Sequence, residues 1–137
     1  MILAVFDCGV VVSALGWAGN PRFCLDLVYA GQAKLCVTPD IWEEYRVKVP
    51  LILAEQQRAV DAELEIGLLL KVVHFVTPAL LGKRRSRDPQ DDRYLAAALG
   101  VGAAAVVSND RDLLALGKPF GVPVVTPVQF LRLARSR

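Results

Sequence analysis

The sequence predicts an α/β protein with three layers, α/β/α, built on a parallel sheet of four to five strands. Two observations carry that expectation. Short uninterrupted apolar runs, Ile2 to Phe6 and Ala104 to Val107, have the character of parallel strands buried on both faces. They alternate with helix-like segments on short connections, the pattern of a parallel sheet with helices on both sides.

In chain order, Ile2 to Phe6 ends on Asp7 and would deliver that acid at a strand's carboxyl end. A helix from Val10 to Leu15 follows and is closed or loosened by GWAGN. Pro21 then suits the first turn of a helix over Arg22 to Tyr29, with Gly31 as its stop. Lys34 to Val37 is a second strand. Thr38-Pro39 reads as an N-cap and first helical position, opening a helix that carries Asp40, Glu43 and Glu44 and is expected to break or bend at Pro50. Glu55 to Leu70 has the spacing of one amphipathic helix. Val72 to Val76 is a third strand, leading through Pro78 into the basic run KRRSR. A helix from Gln90 to Leu99, a strand from Ala104 to Val107, the turn SNDRD and a helix over Leu113 to Leu116 come next. Val122 to Val125 is a fifth strand, and Thr126-Pro127 caps a last helix.

Length and composition bound the function. At 137 residues and 54% hydrophobic the chain is expected to form one domain, residues 1–137, able to bury its own core. Sixteen basic against 14 acidic residues leave a formal charge of +2, so no global field attracts a polyanion and any nucleic-acid contact must be local. Cys8, Cys24 and Cys36 form no CxxC pair, and without an export signal they read as reduced thiols in cytoplasm. No apolar stretch approaches the roughly 20 residues of a membrane span.

The acids carry the chemistry. Ligands of open parallel sheets bind outside the carboxyl ends of the strands, where Asp7 and Asp110 are expected. Glu44, Asp91 and Asp92 lie near helix starts that follow strand ends or loops and would converge on the same place. Each acid alone also suits a capping role. Asp7 stands out, because an acid directly after a buried strand loses solvation unless it has a partner. Carboxylates gathered together repel, a conflict that a divalent ion resolves. Hard oxygen ligands favour Mg²⁺ or Mn²⁺, which also engage phosphate oxygens and activate water.

That ordered set of acids resembles the PIN domain family, especially its toxin components related to VapC-like ribonucleases. The likeness runs from the strand ending in Asp7, through TPDIWEEYRVKV and RDPQDDRYLAAALGVGAAAVVSNDRDLL, to VVTPVQFL. It implies a metal-dependent ribonuclease, the toxin of a toxin-antitoxin pair, with RNA as substrate, a small antitoxin as partner and a homodimeric state. By position, Asp7 matches the first-strand aspartate, Glu44 the family glutamate and Asp110 the aspartate of the T-x-D turn, with Ser108 replacing its threonine. For the remaining acid, a spacing of 18 residues back from Asp110 selects Asp92 and one of 19 selects Asp91. Both are kept as catalytic candidates, with Asp92 counted among the ligands. Arg84, Arg85 and Arg87, just before the acidic turn, are candidates with Ser108 for holding RNA.

The chain departs from the family pattern at one place. Asp7-Cys8-Gly9 stands where the family usually has D-T-N or D-S-N, losing a hydroxyl and an amide. That motivates an alternative, a weakened PIN-like module that binds RNA or protein. A further alternative is a haloacid-dehalogenase-type phosphatase, since FDCGVV loosely resembles that family's first motif. Glycine at position 9 lacks the second aspartate its mechanism needs.

Overall fold

A computed structural model describes residues 1–82 and 91–136. Five parallel strands form one sheet in the order β3-β2-β1-β4-β5: β1 (Ile2–Phe6), β2 (Ala33–Val37), β3 (His74–Phe75), β4 (Ala105–Val107) and β5 (Val124–Val125). Among the described residues, seven α-helices connect or follow them: α1 (Cys8–Gly16), α2 (Asn20–Tyr29), α3 (Pro39–Glu55), α4 (Ala62–Leu70), α5 (Asp92–Val101), α6 (Arg111–Leu114) and α7 (Pro127–Arg135). Ala4, Val5 and Phe6 of the central strand are all buried. Neighbouring side chains on a strand point to opposite faces, so both faces of β1 are covered. α2 and α7 pack together over β2 and β4, while α5 lies across β1, β2 and β4. Phe6 and Phe130 meet edge to face at 5.8 Å, joining the first strand to the last helix.

The chain leaves β1 towards β2 and β3, then returns through α5 to β4 on the other side of β1. The strand order therefore reverses between β1 and β4, and the carboxyl ends of those two strands deliver Asp7 and Asp110. This is the crevice where open parallel sheets bind ligands.

The strand and cap expectations agree with these elements to within a residue or two, with three differences. Pro50 neither ends nor splits α3, which runs to Glu55. Proline removes an amide donor and its ring crowds the carbonyl four residues earlier, but that residue, Arg46, is exposed and its carbonyl can turn to water. Val49 and Leu53 on the same helix are fully buried and anchor it on both sides of Pro50. The segment expected as one helix over Glu55 to Leu70 is the end of α3, a turn with Gln57 at φ +56°, and a separate α4. Asp61 begins α4 by accepting from Leu64 N–H at 3.1 Å. Lastly, α6 starts two residues earlier than expected, because Asp110 caps it. No helix among the described residues is long and apolar enough to cross a membrane.

α5 fits its neighbours at Gly100, where an added Cβ would lie 2.2 Å from the Thr77 carbonyl oxygen and 2.9 Å from Ala79 N. Both contacts are backbone, and Ala79 N–H is tied to the Ala96 carbonyl at 2.9 Å. Gly100→Ala is therefore expected to cost about 2–3 kcal/mol, as overpacking does. Gly67→Ala in α4 meets nothing within 4 Å and should be neutral or stabilising by up to about 1 kcal/mol. Urea unfolding of the two variants measures the difference, and equal effects would refute this packing account.

Candidate active site

The site is built from the end of β1. Asp7 N–H continues the sheet ladder by donating to the Val107 carbonyl at 3.0 Å. Its side chain then caps α1, with Oδ1 accepting from Val10 N–H at 2.8 Å. Oδ2 accepts from the Ser108 hydroxyl. Ser108 follows β4, is fully buried, and also accepts from Asp110 N–H at 2.9 Å. Its hydroxyl is thus used in both directions and joins the two aspartates; it positions them and has no exposed atom to offer a substrate. Asp110 in turn caps α6, Oδ1 accepting from Asp112 N–H at 2.8 Å.

Glu44 comes from the second turn of α3, whose start is set by Thr38 as N-cap and Pro39 as first residue. Its side chain is only 7% exposed. Oε1 accepts from the Tyr94 hydroxyl of α5, and Oε2 pairs with Lys48 at 3.2 Å. Arg93 approaches Oε1 at 3.9 Å. The Tyr94 hydroxyl also accepts from Cys8 N–H at 3.1 Å. One phenol therefore links the start of α1 to Glu44.

Asp7, Glu44, Asp91 and Asp110 line one cleft of about 410 Å³, together with Cys8, Gly9, Ser13, Lys48, Ile52, Tyr94 and Asn109. Asp92 stands in the first turn of α5, outside that lining. Arg84, Arg85 and Arg87 lie outside the described residues. Sequence reasoning did not single out Tyr94 or Lys48. Lys48 carried a signal, its i,i+4 spacing from Glu44. Tyr94 carried less, as the one hydroxyl in the helix DRYLAAALGV. Trp17 lies under Arg58, whose guanidinium is 4.7 Å from the ring centroid, and Trp42 packs edge-on against Tyr45 and Phe75. Neither lines the cleft.

The electrostatics follow from burial. Asp7 is raised to about 6, chiefly because its charge is removed from water; Asp110 and Glu44 add repulsion, while Ser108 and Val10 oppose the rise. Burial pushes the Cys8 thiol up to about 12, with Glu44 adding to it, so it stays protonated and is no nucleophile. Among the described residues, the anionic side chains facing the cleft are carboxylates, a chemistry that fits a hard divalent ion. The fit is incomplete in spacing, because among the described residues no three acid, histidine or cysteine side chains stand close enough together to hold one ion.

An open parallel sheet with an acidic cleft at its switch point defines a class, α/β proteins whose chemistry rests on gathered carboxylates. The chain belongs to the PIN domain family: the family model matches residues 4–112. PIN domains are typically nucleases that use divalent metals, which supports a nuclease-like role. Among solved structures it is similar to PAE2754 from Pyrobaculum aerophilum, with 16% identity, a TM-score of 0.64, and coverage of 99% of this chain and 91% of that one. At that identity the likeness speaks for the fold. No curated protein matches the sequence.

Two outcomes are expected. Asp7 is disfavoured as an anion in the fold, so the stability its neutral form supplies is complete below the ordinary pKa of about 4 and lost as pH rises through about 6. In EDTA, Asp7→Asn should therefore raise stability at pH 7.5, by on the order of 3 kcal/mol at most, and confer little at pH 4. Thermal unfolding at both pH values checks this, and a pH-independent effect would contradict it. Tyr94→Phe keeps the ring but strands the Cys8 N–H, and should cost about 1–3 kcal/mol in urea unfolding. No loss would mean that water replaces the phenol.

Proposed function

We propose that this protein is a metal-dependent endoribonuclease, hydrolysing RNA phosphodiesters with Mg²⁺ or Mn²⁺. The observation that carries the reading is the meeting of Asp7, Glu44, Asp91 and Asp110 in one cleft at the strand-order reversal. These four acids would hold the ion, directly or through its bound waters as their spacing requires, Asp91 being favoured over Asp92 because it lines the cleft. A bound divalent ion supplies an activated water and neutralises charge developing on the phosphate. The protein's own part is orientation. Ser108 and Val10 set the Asp7 carboxylate, the Ser108 hydroxyl sets the backbone of Asp110, and Tyr94 sets Glu44 against the start of α1. Burial of Asp7 strengthens its demand for a cation.

The resemblance of TPDIWEEYRVKV and the acidic turns to toxin components supports a role as the toxin of a cytoplasmic toxin-antitoxin pair, inhibited by a small antitoxin and acting as a homodimer. Exposed Val47 and Leu51 on α3, with Leu64 and Leu68 on α4, supply apolar surface for such partners.

A second reading, a weakened module that binds RNA or protein without cutting, is favoured by Cys8-Gly9 and by the open spacing of the acids. Space does not forbid a side chain at position 9, since a Cβ there would meet Asp7 Oδ1 at an ordinary 3.6 Å. The two readings part in one assay. Purified protein with Mn²⁺ should cut single-stranded RNA, lose the activity in EDTA, and lose it on the order of 100-fold or more in Asp110→Asn. RNA bound but left intact, with no uptake of Mn²⁺ at millimolar concentration, would establish the binding module instead.

A further inference from the structure

A cleft lined by four carboxylates repels a polyanion, and a cation beside the acids would offset that repulsion in addition to a bound metal. Lys48 is the basic residue among the described lining residues. It stands one helical turn beyond Glu44, with Nζ 3.2 Å from Oε2, and its side chain is 47% exposed where that of Glu44 is 7%. Lys48 also lines the adjoining groove, formed with Asp40, Glu43, Glu44, Val47 and Arg93. It therefore stands on the ridge between groove and cleft. Arg93 reaches the same carboxylate from α5 at 3.9 Å and donates to the Asp40 carbonyl at 3.4 Å. Two cations from separate elements thus flank the outer side of Glu44.

An i,i+4 Glu–Lys pair is common helix decoration. Here its two ends differ, with a nearly buried acid already held by Tyr94 and an ammonium at the cleft mouth. A flexible four-carbon stem lets that ammonium turn from carboxylate to phosphate without moving the backbone. Resting on the ribonuclease reading, we propose that Lys48, backed by Arg93, grips a backbone phosphate of the RNA strand beside the scissile one.

The test uses the full chain and a short fluorescein-labelled single-stranded RNA. Affinity is measured by anisotropy in Ca²⁺ over a range of salt, and cleavage kinetics in Mn²⁺, for wild type, Lys48→Met and Lys48→Arg. Lys48 is at the surface, so both variants should fold. Lys48→Met is expected to weaken binding about 5- to 10-fold and to lower the slope of log K against log salt by about 0.7, the share of one phosphate contact on a single strand. KM should rise more than kcat falls, and Lys48→Arg should restore both slope and KM. An unchanged salt slope in Lys48→Met overturns the grip, even if kcat drops, because that pattern belongs to a residue that only positions Glu44. Wild type that cuts RNA with the slope unchanged in the variant removes the grip alone. Wild type that neither binds nor cuts RNA removes the ribonuclease reading and the grip together.

Discussion

A carboxylate at the end of a fully covered central strand has lost most of its water, and the surrounding structure has to supply what the water did. Around Asp7 this is done by one amide at the start of α1 and one hydroxyl after β4. Those two bonds tie three elements together, because the amide belongs to the helix that leaves β1 and the hydroxyl to the turn that leaves its neighbour in the sheet. The same hydroxyl then fixes the Asp110 backbone. Satisfying one buried acid thereby places a second, and the sheet's central contact and the candidate site depend on a single set of interactions. Two neutral donors do not cancel the cost: Asp7 is still raised to about 6, with Asp110 and Glu44 contributing repulsion. A fold that keeps such a residue is stabilised by whatever cation the cleft admits.

Much of this was legible from residue order. Strands of four or five apolar residues bounded by acids or Thr-Pro read as buried inner strands of a parallel sheet, and their ends mark where side chains emerge. Thr38-Pro39 and Thr126-Pro127 announce helices through local chemistry that needs no tertiary context, and Gln129 completes a capping box at the latter. Pro50 was misleading because the cost of a helical proline depends on whether the orphaned carbonyl meets water and whether flanking residues are buried. Both are tertiary facts. Asp61 was a readable cap, but an apolar period running on from Glu55 concealed it.

The site divides in the same way. Acids that follow strands can be located from pattern alone. Partners that reach them from 50 or 86 positions away cannot, and Tyr94 meets Glu44 and Cys8 at those separations. Its spacing also places it on the buried face of α5, where a phenol passes for core. Asp91 and Asp92 illustrate the limit of counting: they differ by one residue, which on a helix is about 100° of rotation, and only the packing of α5 decides which one faces the cleft.

Tyr94 also bears on the unusual Cys8-Gly9 pair. A serine or threonine hydroxyl after the first aspartate would act at the start of α1, and neither a buried, protonated thiol nor a glycine can replace it. Here the hydroxyl next to that helix start comes from α5 instead, accepting from Cys8 N–H while donating to Glu44. The position of Glu44 is consequently coupled to the first turn of α1, and so to Asp7, through one oxygen. With Lys48 and Arg93 on its outer side, Glu44 stands at the boundary between the acids that would bind a cation and the cations that would bind an anion. A nuclease cleft must attract both partners despite their opposite charges, and the arrangement around this one glutamate separates the two attractions by a single side chain.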